Sequence, residues 1–272
     1  MHAASREAFE RLIKTLDQGL KESDNAVGNG ATTGTELFDV VDVLDQERSL
    51  RVAMVDAAAT PEQRVELVKT LLSGKVTAST EEIVSAAVSQ NWSNSQDFRT
   101  GLERLGRRAL LRSAEAQGQL ERVEEELFSL ARILERESEL ELLLSDRAAA
   151  VDDRRDLLAK VIYGKVSSVT EALSLQAVGR ARKAPVELLD DLCQEAASLN
   201  GYEVARVTSA GPLSEEQKAS LSEKLHKIYG RKIAVHTEVD SSLLGGAVVR
   251  VGDEVIDGST AGKLERMRRS LA

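Results

Sequence analysis

Aromatic residues make up only 3% of this 272-residue chain, with one Trp, three Tyr and four Phe. So few rings leave little with which to stack nucleic-acid bases, and they imply cores built from Leu, Val and Ala. Cysteine occurs once, as Cys193, which rules out an internal disulfide and suits a cytoplasmic chain. Its helical setting between Leu192 and Ala196 fits a small buried hydrophobe better than a nucleophile. The three histidines, His2, His226 and His236, are not grouped at ligand spacing, so no metal site is expected. No apolar run approaches the ~20 residues of a membrane-spanning helix and no signal peptide is evident, so any membrane association must come through partners. Carboxylates abound, but runs such as Glu124-Glu125-Glu126 have the pattern of a solvated helix face. No acid/base pair stands out, and the expectation is a protein that is not an enzyme and uses no cofactor.

The formal charge of -9 is unevenly spread. From Gly201 onward there are 11 Lys/Arg and 10 Asp/Glu, leaving 25 and 35 for the preceding part. That acidic part repels phosphate backbones, which disfavours a nucleic-acid adaptor.

The chain repeats itself without a gap at an offset of 90. Gly74-Lys75-Val76 recurs as Gly164-Lys165-Val166, Leu37-Phe38 as Leu127-Phe128, Arg64 as Arg154 and Thr80-Glu81 as Thr170-Glu171. A series of this length is a duplication. Each copy carries apolar residues at helical spacing, such as Leu120, Val123, Leu127, Leu130 and Leu134 in the second, and predicts a bundle of short helices. Gly19 to Gly34 in the first copy predicts a long flexible linker. Its Gly28, Gly30 and Gly34 miss a dinucleotide fingerprint by one residue.

Past Asn200-Gly201 the pattern changes. Glu203 to Ser209 alternates as a strand, Ser214 and Gln217 form a capping box, Leu221, Leu225 and Ile228 give the next helix an apolar stripe, and Lys232 to Val239 is a second strand. Gly245-Gly246 then turns into a hairpin of Ala247 to Val251 and Glu254 to Ile256 across Gly252-Asp253. Asp257-Gly258-Ser259 opens a final helix whose Arg266, Arg268 and Arg269 favour the negative end of its dipole. A phosphate-binding loop is excluded, because three residues rather than four separate Gly258 from Gly262-Lys263, and Leu264 replaces the metal-binding hydroxyl. The fold class is therefore α+β: residues 1–103 an extra helical bundle, 104–200 a second bundle, and 201–272 a small α+β domain.

The C-terminal run of an Asp at Asp240, a Leu-rich turn, Gly245-Gly246, alternating Val/Arg and Asp257-Gly258-Ser259 closely resembles the motif of the δ subunit of F-type ATP synthases, the mitochondrial oligomycin-sensitivity-conferring protein. The likeness extends back to about Gly201. Ala109-Leu110 and Gly179-Arg180 before Pro185 make the second copy resemble the family's helical domain, although Gly106 replaces its usual aromatic. The added first copy resembles actinobacterial forms. This resemblance implies a non-catalytic stator on the cytoplasmic side of the plasma membrane, linking the catalytic head to the peripheral stalk during proton-driven ATP synthesis. Its implied partners are N-terminal segments of the α subunits and the b subunit. The groove for the former, between the first and fifth helices of the bundle, would involve Ala109, Leu110, Leu173, Ala177, Val178 and Arg180. Gly245, Gly246, Asp257, Gly258 and Ser259 are expected to fix the turns that present the stalk-binding surface.

Overall fold

The computed structural model describes residues 1–180, 183–252 and 254–271. Asp253 of the expected turn, and the Arg266 and Arg269 side chains of the final helix, lie outside the described residues. Eleven helices lead the described chain. They are α1 (Ala3–Glu22), α2 (Ala26–Gln46), α3 (Arg48–Ala53), α4 (Pro61–Leu72), α5 (Ala78–Ser89), α6 (Ser95–Ala116), α7 (Leu120–Arg136), α8 (Ser138–Ser145), α9 (Val151–Ile162), α10 (Ser168–Gly179) and α11 (Pro185–Leu199). After them come β1 (Tyr202–Ser209), α12 (Glu215–Tyr229), β2 (Lys232–Val239), β3 (Ala247–Val251), β4 (Glu254–Asp257) and α13 (Thr260–Leu271). The architecture is α+β, as expected.

The duplication is visible helix by helix. Both bounds of α4 and α9 differ by 90, and so do those of α5 and α10. The chain turns from α4 into α5 through Gly74 and from α9 into α10 through Gly164, at φ of 71° and 70°, a left-handed conformation that costs glycine least. Shifting α1 forward by 90, or α11 back by 90, lands on α6 in either case. One unbroken helix thus stands last in the first copy and first in the second, and the 103/104 division falls inside it.

Two compact units emerge. The first comprises Met1–Leu120 and Arg147–Arg180; the second holds Glu121–Asp146 and the chain after Arg180. The first unit packs Leu12, Leu16, Leu37, Val41, Val84 and Leu102 into one core from α1, α2, α5 and α6. In the second, α12 crosses from β1 to β2, which makes that pair parallel. β1 pairs antiparallel with β3, and β3 with β4, giving the order β2-β1-β3-β4. Ala205, Val207, Leu225, Ile233, Val249 and Val251 form its core. Ser214 and Gln217 make the expected capping box on α12. The stripe on that helix is corrected in one position: Ile228 is 65% exposed, and Leu221, Leu225 and Tyr229, four apart, face the sheet.

The linker expected from Gly19 to Gly34 is instead helical almost throughout, since α1 runs to Glu22 and α2 begins at Ala26, capped by the Asn25 side chain. The glycines serve a helix seam. A Cβ on Gly30 would lie 2.9 Å from the Ala109 carbonyl oxygen, and one on Gly34 would lie 2.7 Å from Leu110 Cγ and 2.9 Å from the Gly106 oxygen. Bare backbone at two positions four apart lets α2 and α6 approach more closely than side chains would permit. Gly34→Ala should therefore destabilise the first unit by about 1–3 kcal/mol through overpacking, even after its gain in helix propensity. Gly19→Ala, whose added Cβ meets nothing within 4 Å, should stabilise by about 1 kcal/mol. Urea unfolding of both variants checks the contrast, and an equal effect from the two would refute the seam.

Candidate partner-binding groove

The six residues expected along the groove between α6 and α10 lie in the first unit. Ala109, Leu110, Leu173, Ala177 and Val178 are each at most 3% exposed. Ala109 and Leu110 sit beneath α2 at Gly30 and Gly34. Arg180 closes the end of the same surface. Its Nη2 donates to the Phe38 carbonyl at 2.8 Å and to Asp42 Oδ1 at 2.6 Å, both on α2, while the guanidinium lies 5.3 Å from the Phe38 ring centroid. Burial lowers the Arg180 pKa, and the Asp42 carboxylate opposes that fall. Arg155 also reaches Asp42, at 3.3 Å. The chain's own α2 thus lies over α6 and is tied at its C-terminal half to the end of α10.

Further braces hold this arrangement. Asp17 on α1 accepts from Arg108 Nε at 2.8 Å and Nη2 at 2.6 Å, and from Arg112 Nη2 at 2.6 Å. Burial pushes the Asp17 carboxyl up, but the two guanidiniums outweigh it and hold the pKa at about 2. Because the folded value lies below the unfolded one, the stabilisation is present above pH ~4 and is lost as pH falls toward 2; it amounts to about 2 kcal/mol. Asp17→Asn should accordingly unfold more easily than wild type at pH 5, with the gap closing by pH 2. A gap that stays constant over that range in urea titrations would refute the clamp. On α6 itself, the fully buried Arg99 pairs with Asp45 of α2 and with Glu103.

Two devices had only a faint trace in the sequence. Arg64, one of the residues that recurs at the 90-residue offset, is buried and donates to the carbonyls of Val88 at 2.7 Å, Asp56 at 2.9 Å and Ala59 at 3.0 Å. Its counterpart Arg154 donates to Val178 and Gly179 at 3.2 Å. Each places a cation on the carbonyl end of the fifth helix of its copy, where the helix dipole favours positive charge. In the second unit His236 stacks on Phe128, with centroids 4.5 Å apart, and its Nε2 lies 2.8 Å from Glu124 Oε1. Cys193 joins them, so that the potential ligand atoms of Glu124, Cys193 and His236 lie within 4.8 Å of one another, although their sequence spacing gave no sign of it. The thiol lies 3.6 Å from the Glu124 carbonyl oxygen, and burial raises its pKa well above the ordinary thiol range, keeping it protonated.

The C-terminal motif closes on itself. Thr260 N–H donates to the Gly245 oxygen at 2.9 Å, and Gly258 N–H to the Ala247 oxygen at 3.0 Å. Gly246 adopts φ 79°, and a Cβ there would lie 2.4 Å from the Gly258 oxygen. Asp257 Oδ1 accepts from Ser259 N–H at 2.9 Å, while Ser259 Oγ accepts from Gly262 N–H at 3.0 Å and starts α13. These contacts join the strand entry to the helix start.

A family model described as the ATP synthase delta (OSCP) subunit matches residues 107–271, from within α6 to the last turn of α13. The chain belongs to that family. ATP synthase subunit delta of Corynebacterium urealyticum is 99% identical over 272 residues, covering 100% of both chains. Those of Corynebacterium jeikeium and Corynebacterium diphtheriae are 68% and 56% identical, again across 100% of both. The δ-family match begins beyond most of the first copy, whereas these relatives span it. Among solved structures, a chain of the Toxoplasma gondii mitochondrial ATP synthase hexamer is 25% identical over 61% of this chain and 94% of its own, with a TM-score of 0.34. As a δ-family member the chain is a structural subunit of ATP synthase rather than its catalytic one. No helix among the described residues is long and apolar enough to cross a membrane.

Proposed function

We propose that the chain is a peripheral-stalk stator subunit that resists rotor torque by joining two partners: α-subunit N-terminal segments at the helical part, and the b subunit at the C-terminal α+β domain. It acts on the cytoplasmic side of the plasma membrane and reaches the membrane through the Fo sector alone. The δ-family match across residues 107–271 carries this reading, because it includes both the α6/α10 surface and the closed C-terminal motif. A torque-bearing link needs broad contacts on a stiff frame rather than a small polar site. Interlocked α2 and α6 with buried arginines stiffen the first unit, and a glycine-locked turn stiffens the C-terminal end of the second. Residues Ala109, Leu110, Leu173, Ala177, Val178 and Arg180 form the helix-receiving surface of the second copy, and α2 lies over its α6 side. Gly245, Gly246 and Asp257 to Ser259 hold the shape of the stalk-facing end.

The test is reconstitution. Added to membranes stripped of the subunit, the full-length protein should restore proton-driven ATP synthesis while leaving the ATPase rate of detached F1 unchanged. In solution it should bind an α-subunit N-terminal peptide and a soluble b fragment without competition between them. Failure to bind either, with no restored synthesis, would reject the stator role.

A further inference from the structure

Three side chains able to bind a metal meet inside the second unit. Glu124 stands on α7, Cys193 on α11 and His236 on β2. Their ligand atoms lie within 4.8 Å of one another, and His236 Nε2 is 2.8 Å from Glu124 Oε1. Glu124 is 4% exposed and Cys193 2%. Phe128, one turn beyond Glu124 on α7, stacks on the imidazole and sets its plane, so that Nε2 faces the carboxylate. Ninety residues earlier Gly34 stands in the place of Glu124, so the duplicated bundle does not itself call for a carboxylate at this point.

The donors are a thiol, an imidazole and a carboxylate, a mixture that suits zinc rather than calcium or magnesium, which want oxygen ligands alone. Around a tetrahedral zinc, neighbouring ligand atoms are about 3.3–3.7 Å apart. The Glu124–His236 pair is closer than that and the 4.8 Å limit is wider, so side-chain rotations that shift atoms by about an ångström reach the geometry. The charges also close. A zinc dication with one thiolate, one carboxylate and a neutral imidazole has no net charge, the condition a buried site tolerates best. An open cavity of about 220 Å³ reaches Glu124 and His236, and the exposed Glu121 and Glu125 line it, giving a cation an entry path of matching sign.

We propose that Glu124, Cys193 and His236 bind one zinc ion, with water as the fourth ligand, and that the metal ties α7 and α11 to the edge strand β2. Binding breaks the Cys193 S–H bond as the zinc–sulfur bond forms, and the proton leaves to solvent. His236 supplies its Nε2 lone pair with the ring proton on Nδ1, and Glu124 exchanges the imidazole for the metal. In the metal-free chain burial above all, with Glu124 and Asp190 adding to it, keeps the thiol protonated; a bound dication reverses that preference. The spacing of the histidines along the chain concealed this site, and it is independent of the stator reading.

For the test, the full-length chain is stripped of metal with a chelator, dialysed with its thiol kept reduced, and titrated first with Co²⁺ and then with Zn²⁺. One cobalt per chain should bind, with a thiolate-to-metal charge-transfer band and the strong visible bands of tetrahedral cobalt, and zinc should abolish both. Because Cys193 is the single cysteine, that band reports it alone. Zinc should also raise the thermal midpoint by several degrees. Glu124→Gln and His236→Gln should each bind cobalt more weakly by about tenfold or more, since even an outer-shell partner is worth that much. His226→Gln, altered at an exposed histidine on α12, should match wild type. The wild-type spectrum can overturn the site without any variant: cobalt that binds with no charge-transfer band, or does not bind, rejects it. Cobalt affinity unchanged in both Glu124→Gln and His236→Gln rejects it as well.

Discussion

Replacing Arg64 with methionine should lower the unfolding free energy of the first unit by about 3 kcal/mol, and Arg154→Met should act in the same direction. Methionine keeps much of the arginine's apolar volume, so the loss isolates the guanidinium. At position 64 that group donates to three carbonyls, of Asp56, Ala59 and Val88. Their removal strands acceptors in a site where the arginine itself is 5% exposed. Hydrogen bonds from a charged donor contribute about 1.5–3 kcal/mol each, and the loss of several is limited by whatever water can enter. Arg64 ties the end of α5 to the loop before α4; Arg154 does the same for the carbonyls at the end of α10. Because the two residues occupy one position of the duplicated bundle, a role in fold maintenance predicts parallel losses in urea midpoints. Were only one variant destabilised, the arginine would be serving something local to its copy.

What could be read from the chain beforehand follows from what periodicity encodes. Spacing of apolar residues tells which face of a segment is buried, so α4 with α9, α5 with α10, and the order of strands and helices after Gly201 were all legible. Spacing does not tell what covers that face. Gly28, Gly30 and Gly34 have the composition of a linker, and only the close approach of α6 shows that two of them are contact points of a helix. Arg180 illustrates the same limit: a cation at the end of a groove is readable, but its partners Phe38 and Asp42 are about 140 residues away, in the other copy. The approach of His236, Glu124 and Cys193 depends on a strand and two helices with no common spacing. Ile228 went astray for a smaller reason: positions three and four apart both suit a helix, and the sheet selected the four-apart set.

Gly246→Ala should cost the C-terminal domain about 3–5 kcal/mol, by summing backbone strain with overpacking, whereas Gly252→Ala should cost about 1–2 kcal/mol. Both glycines lie at positive φ, 79° and 55°. Only the first is crowded. An alanine Cβ at 246 would stand 2.4 Å from the Gly258 oxygen and 3.0 Å from the Ser259 Cα, so two backbone segments would have to separate, while nothing lies within 4 Å of a Cβ at 252. The separation would strain the bonds from Thr260 N–H to Gly245 and from Gly258 N–H to Ala247, which hold the entry of β3 to the start of α13. Hydrogen exchange should therefore show lost protection at Gly258 and Thr260 in Gly246→Ala, with little change there in Gly252→Ala. If the motif presents the stalk-binding end, affinity for a soluble b fragment should fall in the first variant and hold in the second. Equal exchange in the two variants would mean that the Gly-Gly and Asp-Gly-Ser segments are separate turns rather than one lock.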